Sequence, residues 1–229
     1  MQWLFEAKKR YGISVLNYML TSNHIHLLVA DDGDGDRDVI PNSIQLIAGR
    51  TGQEYNQRKK RKGAFWEDRY HATAIERGEH LIRCMVYIDM NMVRAGVVNH
   101  PRQWPFCGYK EIESPPQRYA IIDYRRLVDL LRMTDCDELQ ESYGHWVDEI
   151  LRAENHTRES KWTESIAVGS KQFVETTKKR LGIKGRGRHV LGKNGGYELR
   201  EPPAPYNGHF APENAVLSHK NTYFWNDSI

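Results

Sequence analysis

The stretch from Ser14 to Val29 constrains the fold most, because it is rich in β-branched and large apolar side chains and therefore predicts strand. Polar residues 21–23 interrupt it, which predicts a kink or a tight hairpin between two strands. Side chains two positions apart share one face of a strand, so His24 and His26 point the same way. Two residues advance a strand by about 6.6 Å, so both imidazoles can converge on one metal ion. Taken alone, such a pair is more often structural than catalytic.

Residues 79–95 give the clearest helix pattern, and Gly96 is its predicted stop. A broad apolar side is interrupted by the charge of Asp89; that side consists of Leu81, Ile82, Met85, Val86, Ile88, Met92 and Val93. Tyr87 and Asn91 lie four positions apart, so they project from the same helix face. A tyrosine on a helix is usually a core residue with a wet hydroxyl, and that interpretation stays open here.

The two motifs together suggest chemistry on a phosphodiester. A neutral phenol attacks a phosphodiester poorly, so the reaction needs a cation on the phosphate and a nucleophile held in line. His24, His26 and the amide oxygen of Asn91 would supply three neutral ligands to a metal ion. Tyr87 would then lie one helical turn from the third ligand.

A basic segment follows a predicted helix over residues 41–56. Its cations are Arg58, Lys59, Lys60, Arg61 and Lys62, and Phe65, Trp66, Arg69 and Tyr70 come directly after them. Cations bind phosphates and aromatic rings stack on unpaired bases, so this combination favours single-stranded or hairpin nucleic acid. The alternative is a solvated basic loop beside core aromatic residues.

Composition limits the class of protein further. The chain has 229 residues and a formal net charge of +3, which is too small to prove a nucleic-acid partner. No apolar run approaches the roughly 20 residues of a membrane helix, and the first residues lack the order of a signal peptide. Three separated cysteines predict reduced thiols. We therefore expect a soluble, cytoplasmic protein without a membrane partner.

We expect three parts along the chain: a catalytic domain over residues 1–113, a helical, basic extension over 114–200, and a weakly ordered tail over 201–229. The extension carries a second basic surface within residues 158–193 and a small apolar core, for which Ile166, Val168, Phe173, Val174 and Leu181 are the candidates. The acidic loop 31–36 resembles a calcium loop in spacing. It lacks the glutamate required at the twelfth position, however, so a solvated turn is favoured.

The motifs carry a family resemblance. Asn23 to Leu28, Phe65-Trp66, Arg69-Tyr70 and the run from Tyr87 to Val98 resemble the single-tyrosine HUH transposases, most closely the branch called REP-associated tyrosine transposases. The resemblance covers roughly Trp3 to Tyr109. It implies that His24 and His26 are the histidine-hydrophobe-histidine metal ligands, Asn91 is the third ligand and Tyr87 is the nucleophile that cleaves DNA.

The same resemblance implies a ferredoxin-like α+β domain, a homodimer, and Mg²⁺ or Mn²⁺ as the functional ion. The implied activity is cutting and rejoining of single-stranded, hairpin-forming DNA through a 5′-phosphotyrosine intermediate. The sequence departs from the family pattern in two places. Relatives open with a strand before the first helix, so we expect a truncated domain that lacks this strand. Met92 stands where relatives commonly have proline, which should affect the helix end more than the chemistry.

Two alternatives remain at this point. One is a catalytically impaired, domesticated relative that binds DNA hairpins without cutting them. The other is a zinc hydrolase in which Tyr87 is structural, although no acidic general base stands beside the ligands.

Overall fold

The computed structural model describes residues 1–31, 36–67, 69–153, 157–193 and 195–202. The chain divides into two compact units, Met1–Glu164 and Ser165–Ile229. The boundary predicted after residue 113 therefore falls inside the first unit. Most of the acidic loop 31–36 and nearly all of the predicted tail lie outside the described residues.

The predicted α+β class is confirmed, because 51% of the described residues are helical and 15% are in strands. The elements of the first unit are α1 (Gln2–Tyr11), β1 (Ser14–Leu20), β2 (Ile25–Ala30), α2 (Val39–Arg58), β3 (Ala74–Ile75), α3 (Glu79–Asp89), α4 (Asn91–Arg94), the 3-10 helix Pro101–Gln103, α5 (Gly108–Glu113), α6 (Tyr124–Leu131), α7 (Cys136–Arg152) and α8 (Lys161–Glu164). None of the helices in the described ranges combines the length and apolarity needed to cross a bilayer.

Strands β1 and β2 form the predicted antiparallel hairpin. Its turn is closed by Thr21, whose backbone N–H donates to the carbonyl of His24 at 2.9 Å and whose hydroxyl accepts the N–H of His24 at 2.9 Å. Strand β1 is buried along almost its whole length. It also bonds two later segments, because Leu20 donates to the carbonyl of Phe106 and Asp123 donates to that of Val15.

A buried polar cluster joins β1 to three helices. Asp89 is fully buried and accepts hydrogen bonds from the Asn17 amide at 3.1 Å, the Tyr143 hydroxyl and the Tyr109 backbone N–H at 3.3 Å. Burial raises the pKa of Asp89 to about 7, while these hydrogen bonds act in the opposite direction. A side chain at Gly108 would place its Cβ 1.8 Å from the Asn17 amide oxygen, so only glycine fits there.

The second unit contains β4 (Ala167–Gly169), α9 (Lys171–Arg180), the 3-10 helix Gly182–Gly185, β5 (His189–Lys193) and β6 (Gly196–Arg200). Strand β6 pairs antiparallel with both β4 and β5. The core cluster contains Ala167, Val174 and Leu199, with Ile166, Phe173, Leu181 and Val190 packed against it. The predicted small core is thus largely confirmed. Strands β4, β5 and β6 were not predicted by the sequence pattern.

The Tyr143→Phe variant tests the buried cluster. Removing the hydroxyl leaves Asp89 without one of its donors in a site that water does not reach, so we expect a loss of about 1–3 kcal/mol in the free energy of unfolding. Urea unfolding followed by tryptophan fluorescence measures it. Tyr119→Phe is the control, because the Tyr119 side chain is exposed; its effect should stay within about 0.5 kcal/mol. Equal effects of the two variants would contradict a stabilising role for the Tyr143 hydroxyl.

Candidate active site

The two histidines lie side by side at the start of β2. His24 ends the hairpin turn and is exposed, whereas His26 belongs to the strand and is half-buried. Their rings are nearly parallel, with an interplanar angle of 5° and 6.3 Å between centroids. Burial lowers the pKa of His26, and the nearby His24 and Arg94 lower it further. These surroundings favour the neutral imidazole, which is the form that donates a lone pair to a metal.

Asn91 contacts the inner histidine. Its amide nitrogen Nδ2 lies 3.4 Å from the ring nitrogen Nε2 of His26. Rotating the amide by half a turn about its last bond brings the oxygen Oδ1 to the same side, and this oxygen is a metal ligand. The helix predicted over residues 79–95 is divided at Met90, where α3 ends and α4 begins with Asn91. Met90 keeps nearly helical backbone angles, φ −71° and ψ 0°, so the interruption is slight.

These residues fit a divalent ion. Two imidazoles and one amide oxygen form a neutral donor set that leaves further coordination positions for phosphate and water. Among the described residues, no three His, Cys, Asp or Glu side chains cluster as a metal site. A metal held by His24 and His26 would therefore take its third protein ligand from another residue type, and Asn91 is the amide in contact.

Tyr87 lies one turn before Asn91 and is only 8% exposed. Its ring packs against that of Trp162, with 6.1 Å between centroids and a tilt of 38°. The guanidinium carbon of Arg94 lies 3.9 Å from the centroid of the Tyr87 ring. This distance is that of a close cation–π contact, which fixes the ring relative to a positive charge.

The sequence interpretation missed Arg94 as a site residue. Burial lowers the pKa of its guanidinium, and the nearby Tyr87 and Glu159 oppose that shift. The same charge lowers the pKa of His26, so Arg94 is close enough to act on both the tyrosine and the histidine. A signal was present in the sequence, because Arg94 follows Tyr87 by seven positions and Asn91 by three, which places all three on one helix face.

The basic segment 58–62 is exposed throughout, and the chain after it folds back on α2. The rings of Tyr55 and Phe65 lie 4.6 Å apart, and those of Phe65 and Trp66 lie 4.8 Å apart. Trp66 is half-buried and its indole N–H donates to the carbonyl of Ala48 at 2.9 Å. Arg69 is exposed. The aromatic residues thus hold the loop against the helix, while the cations face solvent.

Comparison with known proteins places this site in a family context. Residues 2–91 match the family model described as "Transposase IS200 like". Searches of curated proteins and of solved structures returned no significant match. The matched segment includes both histidines and Tyr87, and Asn91 is its last residue. The match supports a transposase function in the broad sense, for which DNA is the implied partner and divalent metals are the general requirement.

Metal binding directly tests whether His24, His26 and Asn91 act as metal ligands. We expect His24→Ala and His26→Ala to abolish Mn²⁺ binding measured by isothermal titration calorimetry, because each removes a strong imidazole ligand. Asn91→Ala should weaken it, since an amide oxygen is the poorer donor for this ion. His189→Ala is the matched control, because that histidine is exposed in the second unit. Equal Mn²⁺ affinity in the His26 and His189 variants would show that the ion is held elsewhere.

Proposed function

We propose that the protein is a single-tyrosine transposase of the REP-associated branch, which cuts and rejoins single-stranded, hairpin-forming DNA. One observation carries the proposal. The junction of α3 and α4 brings together Tyr87, Arg94, Asn91 and His26. All of these except Arg94 lie in the segment that matches IS200-like transposases.

In the proposed reaction, the phenolic oxygen of Tyr87 attacks a backbone phosphorus. A new P–O bond joins the tyrosine to the 5′-phosphate of the downstream strand, and the bond from phosphorus to the 3′ oxygen breaks. The phenol loses its proton and the departing oxygen takes one up, so the upstream strand leaves with a free 3′-hydroxyl. Attack by another 3′-hydroxyl on the phosphotyrosine reverses the step and rejoins the DNA.

Arg94 has two roles in this scheme. Its cation–π contact orients the Tyr87 ring, and its charge stabilises both the phenolate that forms and the phosphate that is attacked. His24, His26 and Asn91 would hold Mg²⁺ or Mn²⁺. Such an ion would polarise the phosphate and offset the charge that develops during the displacement.

The exposed cations of residues 58–62 serve as the contact for the DNA backbone in this proposal. Arg58 and Arg61 also lie near the ring of Tyr55, with 6.0 Å and 5.7 Å from guanidinium carbon to ring centroid. The lysines of the segment, Lys59, Lys60 and Lys62, make no ion pair or side-chain hydrogen bond within the described residues. They are therefore the cations that can be removed with the least effect on the fold.

A covalent adduct tests the proposed nucleophile. Single-stranded hairpin DNA labelled at its 3′ end is incubated with protein and Mn²⁺, and the label should shift to the protein on a denaturing gel. A 5′ label should instead appear on a shortened free strand. Tyr87→Phe should abolish the adduct, because no hydroxyl remains to attack phosphorus.

Tyr11→Phe is the control for this assay, since Tyr11 is an exposed tyrosine at the end of α1 and should leave the adduct intact. An adduct that persists in Tyr87→Phe would refute the assignment of the nucleophile. Hairpin binding without any adduct in the unmodified protein would instead support the impaired, binding-only relative.

The DNA contact of the basic segment is tested by removing Lys59, Lys60 and Lys62 together as glutamines. Each phosphate contact that is lost reduces the slope of log affinity against log salt by about 0.7 for a single strand, so the slope should fall by up to about 2. Fluorescence anisotropy with a labelled hairpin across a salt series measures it. The exposed cations Lys9, Lys110 and Arg125, changed to glutamine together, give a matched control with the same change in net charge. An equal fall in the control would mean that only total charge matters.

A further inference from the structure

We propose that the second unit binds nucleic acid, and that its basic surface contacts the phosphate backbone of duplex DNA. In the context of the proposed function, this duplex is the stem of the hairpin. That identification rests on the proposed function, whereas the duplex binding itself does not.

The charge of the chain is strongly uneven. Residues 165–202 contain nine Lys and Arg against three Glu, a formal net charge of +6 in 38 residues. Residues 1–164 contain 23 Lys and Arg against 25 Asp and Glu, a formal net charge of −2. Residues 203–229 contain one Lys and two acids, a formal net charge of −1. The small positive total of the whole chain therefore hides a strongly basic stretch over residues 165–202, and a concentrated positive charge is the electrostatic signature of nucleic-acid binding.

Most of these cations have no acidic partner within the described residues. Arg188 pairs with Glu201 at 2.8 Å, and Arg200 pairs with the buried Glu198 at 3.0 Å. Six more make no ion pair or side-chain hydrogen bond in the described ranges; they are Lys171, Lys178, Lys179, Arg180, Lys184 and Arg186. A protein surface that leaves six cations without acids is arranged to attract polyanions rather than to stabilise itself.

Three of these cations, Lys178, Lys179 and Arg186, line a groove. Helix α9 buries Val174 in the core and directs Lys178 and Lys179 outward, and the following 3-10 helix turns back so that Arg186 joins them. The turn packs tightly, because a Cβ at Gly185 would lie 2.5 Å from the carbonyl oxygen of Lys178. The resulting open groove has a volume of about 530 Å³. Glu175 is an acidic residue in its lining.

Stabilisation of the helix dipole explains only some of the cations at and after the end of α9. Cations in the last turn of a helix interact favourably with the helix dipole, which would explain Lys178, Lys179 and Arg180. It does not explain Lys184 and Arg186, which lie beyond the helix and in or next to the tight turn. Phosphate binding accounts for all five.

The composition of the groove lining favours duplex over single strands. Among the residues that the structure describes, those that line the groove are charged, glycine or Val190, and none is aromatic. Phe173 packs against the core of the unit, and the Tyr197 ring lies against Gly192. Binding of single strands usually uses aromatic rings on which unpaired bases stack, whereas a duplex offers regularly spaced phosphates to cations alone.

The test uses full-length protein carrying Tyr87→Phe, in EDTA, so that the result does not depend on whether Tyr87 attacks DNA. A blunt 25-base-pair duplex and a 25-nucleotide oligothymidine are the labelled probes, and fluorescence anisotropy is recorded across a salt series. Changing Lys178, Lys179 and Arg186 to glutamine should weaken duplex binding at least tenfold. The salt slope for the duplex should fall by about 2–3, at about 0.9 per phosphate contact. Binding of oligothymidine should change much less.

A variant that gains duplex affinity serves as a second test, because misfolding could explain a loss of binding but not a gain. Glu175→Lys replaces the groove's acid with a cation, so duplex affinity should rise and the salt slope should steepen by about 1–2. Glu141→Lys makes the same charge change at an exposed position of the first unit and serves as the control. The Lys9, Lys110 and Arg125 triple variant is the control for the charge-removing change.

Four outcomes would overturn the proposal. One is unchanged duplex binding in the groove variants, and another is a control effect as large as theirs. The third is an equal loss for oligothymidine, which would remove the preference for duplex. Competition by polyglutamate as effective as competition by unlabelled duplex would likewise overturn it, in favour of an acidic protein partner.

Discussion

The hydrogen-bonded carboxyl group of Asp89 is the interaction on which the candidate site depends most. It lies two residues after Tyr87 and two before Asn91, at the end of α3, which carries Tyr87, and just before α4, which begins with Asn91. A buried carboxyl is costly unless donors surround it, and the donors come from β1, α5 and α7. Tyr109 and Tyr143 lie beyond the segment that matches the transposase family. The support of the site therefore extends past the matched segment, into helices that carry none of the proposed chemistry.

A second buried carboxylate repeats this arrangement on β1. Glu111 accepts the hydroxyl of Tyr18 at 2.9 Å and the backbone N–H groups of Ile121 and Ile122 at 2.7 Å and 2.8 Å. The Lys8 ammonium donates to the carbonyls of the same segment, residues 120–122. Strand β1 is buried on both faces, so its polar atoms need protein partners, and residues after 100 supply several of them. This requirement ties residues 106–143 to the hairpin.

The local features of the fold were predictable from the sequence, whereas the distant contacts were not. The hairpin and the helix stops follow from local chemistry: Gly12 and Gly96 have φ values of 72° and 68°, a conformation that glycine adopts without strain. The shared face of Tyr87 and Asn91 likewise follows from helix periodicity. Asp89 looked like a charge interrupting an apolar side, because its partners Asn17 and Tyr143 are 72 and 54 positions away. Strands β5 and β6 were not predicted, because glycines and cations interrupt the alternation of apolar and polar residues that is typical of a strand.

The basic segment 58–62 and the groove of the second unit differ in their neighbouring side chains, which net charge does not describe. Without the five cations of residues 58–62, the first unit would be more acidic than its formal charge of −2, so its attraction to DNA depends on local clusters of cations such as this segment. Attraction between charges is screened within about 10 Å at ordinary salt, which makes local clusters more important than totals. The segment of the first unit lies beside aromatic residues, whereas the groove of the second unit has no aromatic residue in the part of its lining that the structure describes. Unpaired bases need rings to stack on and a duplex backbone needs only cations, so the two surfaces are suited to different parts of one hairpin.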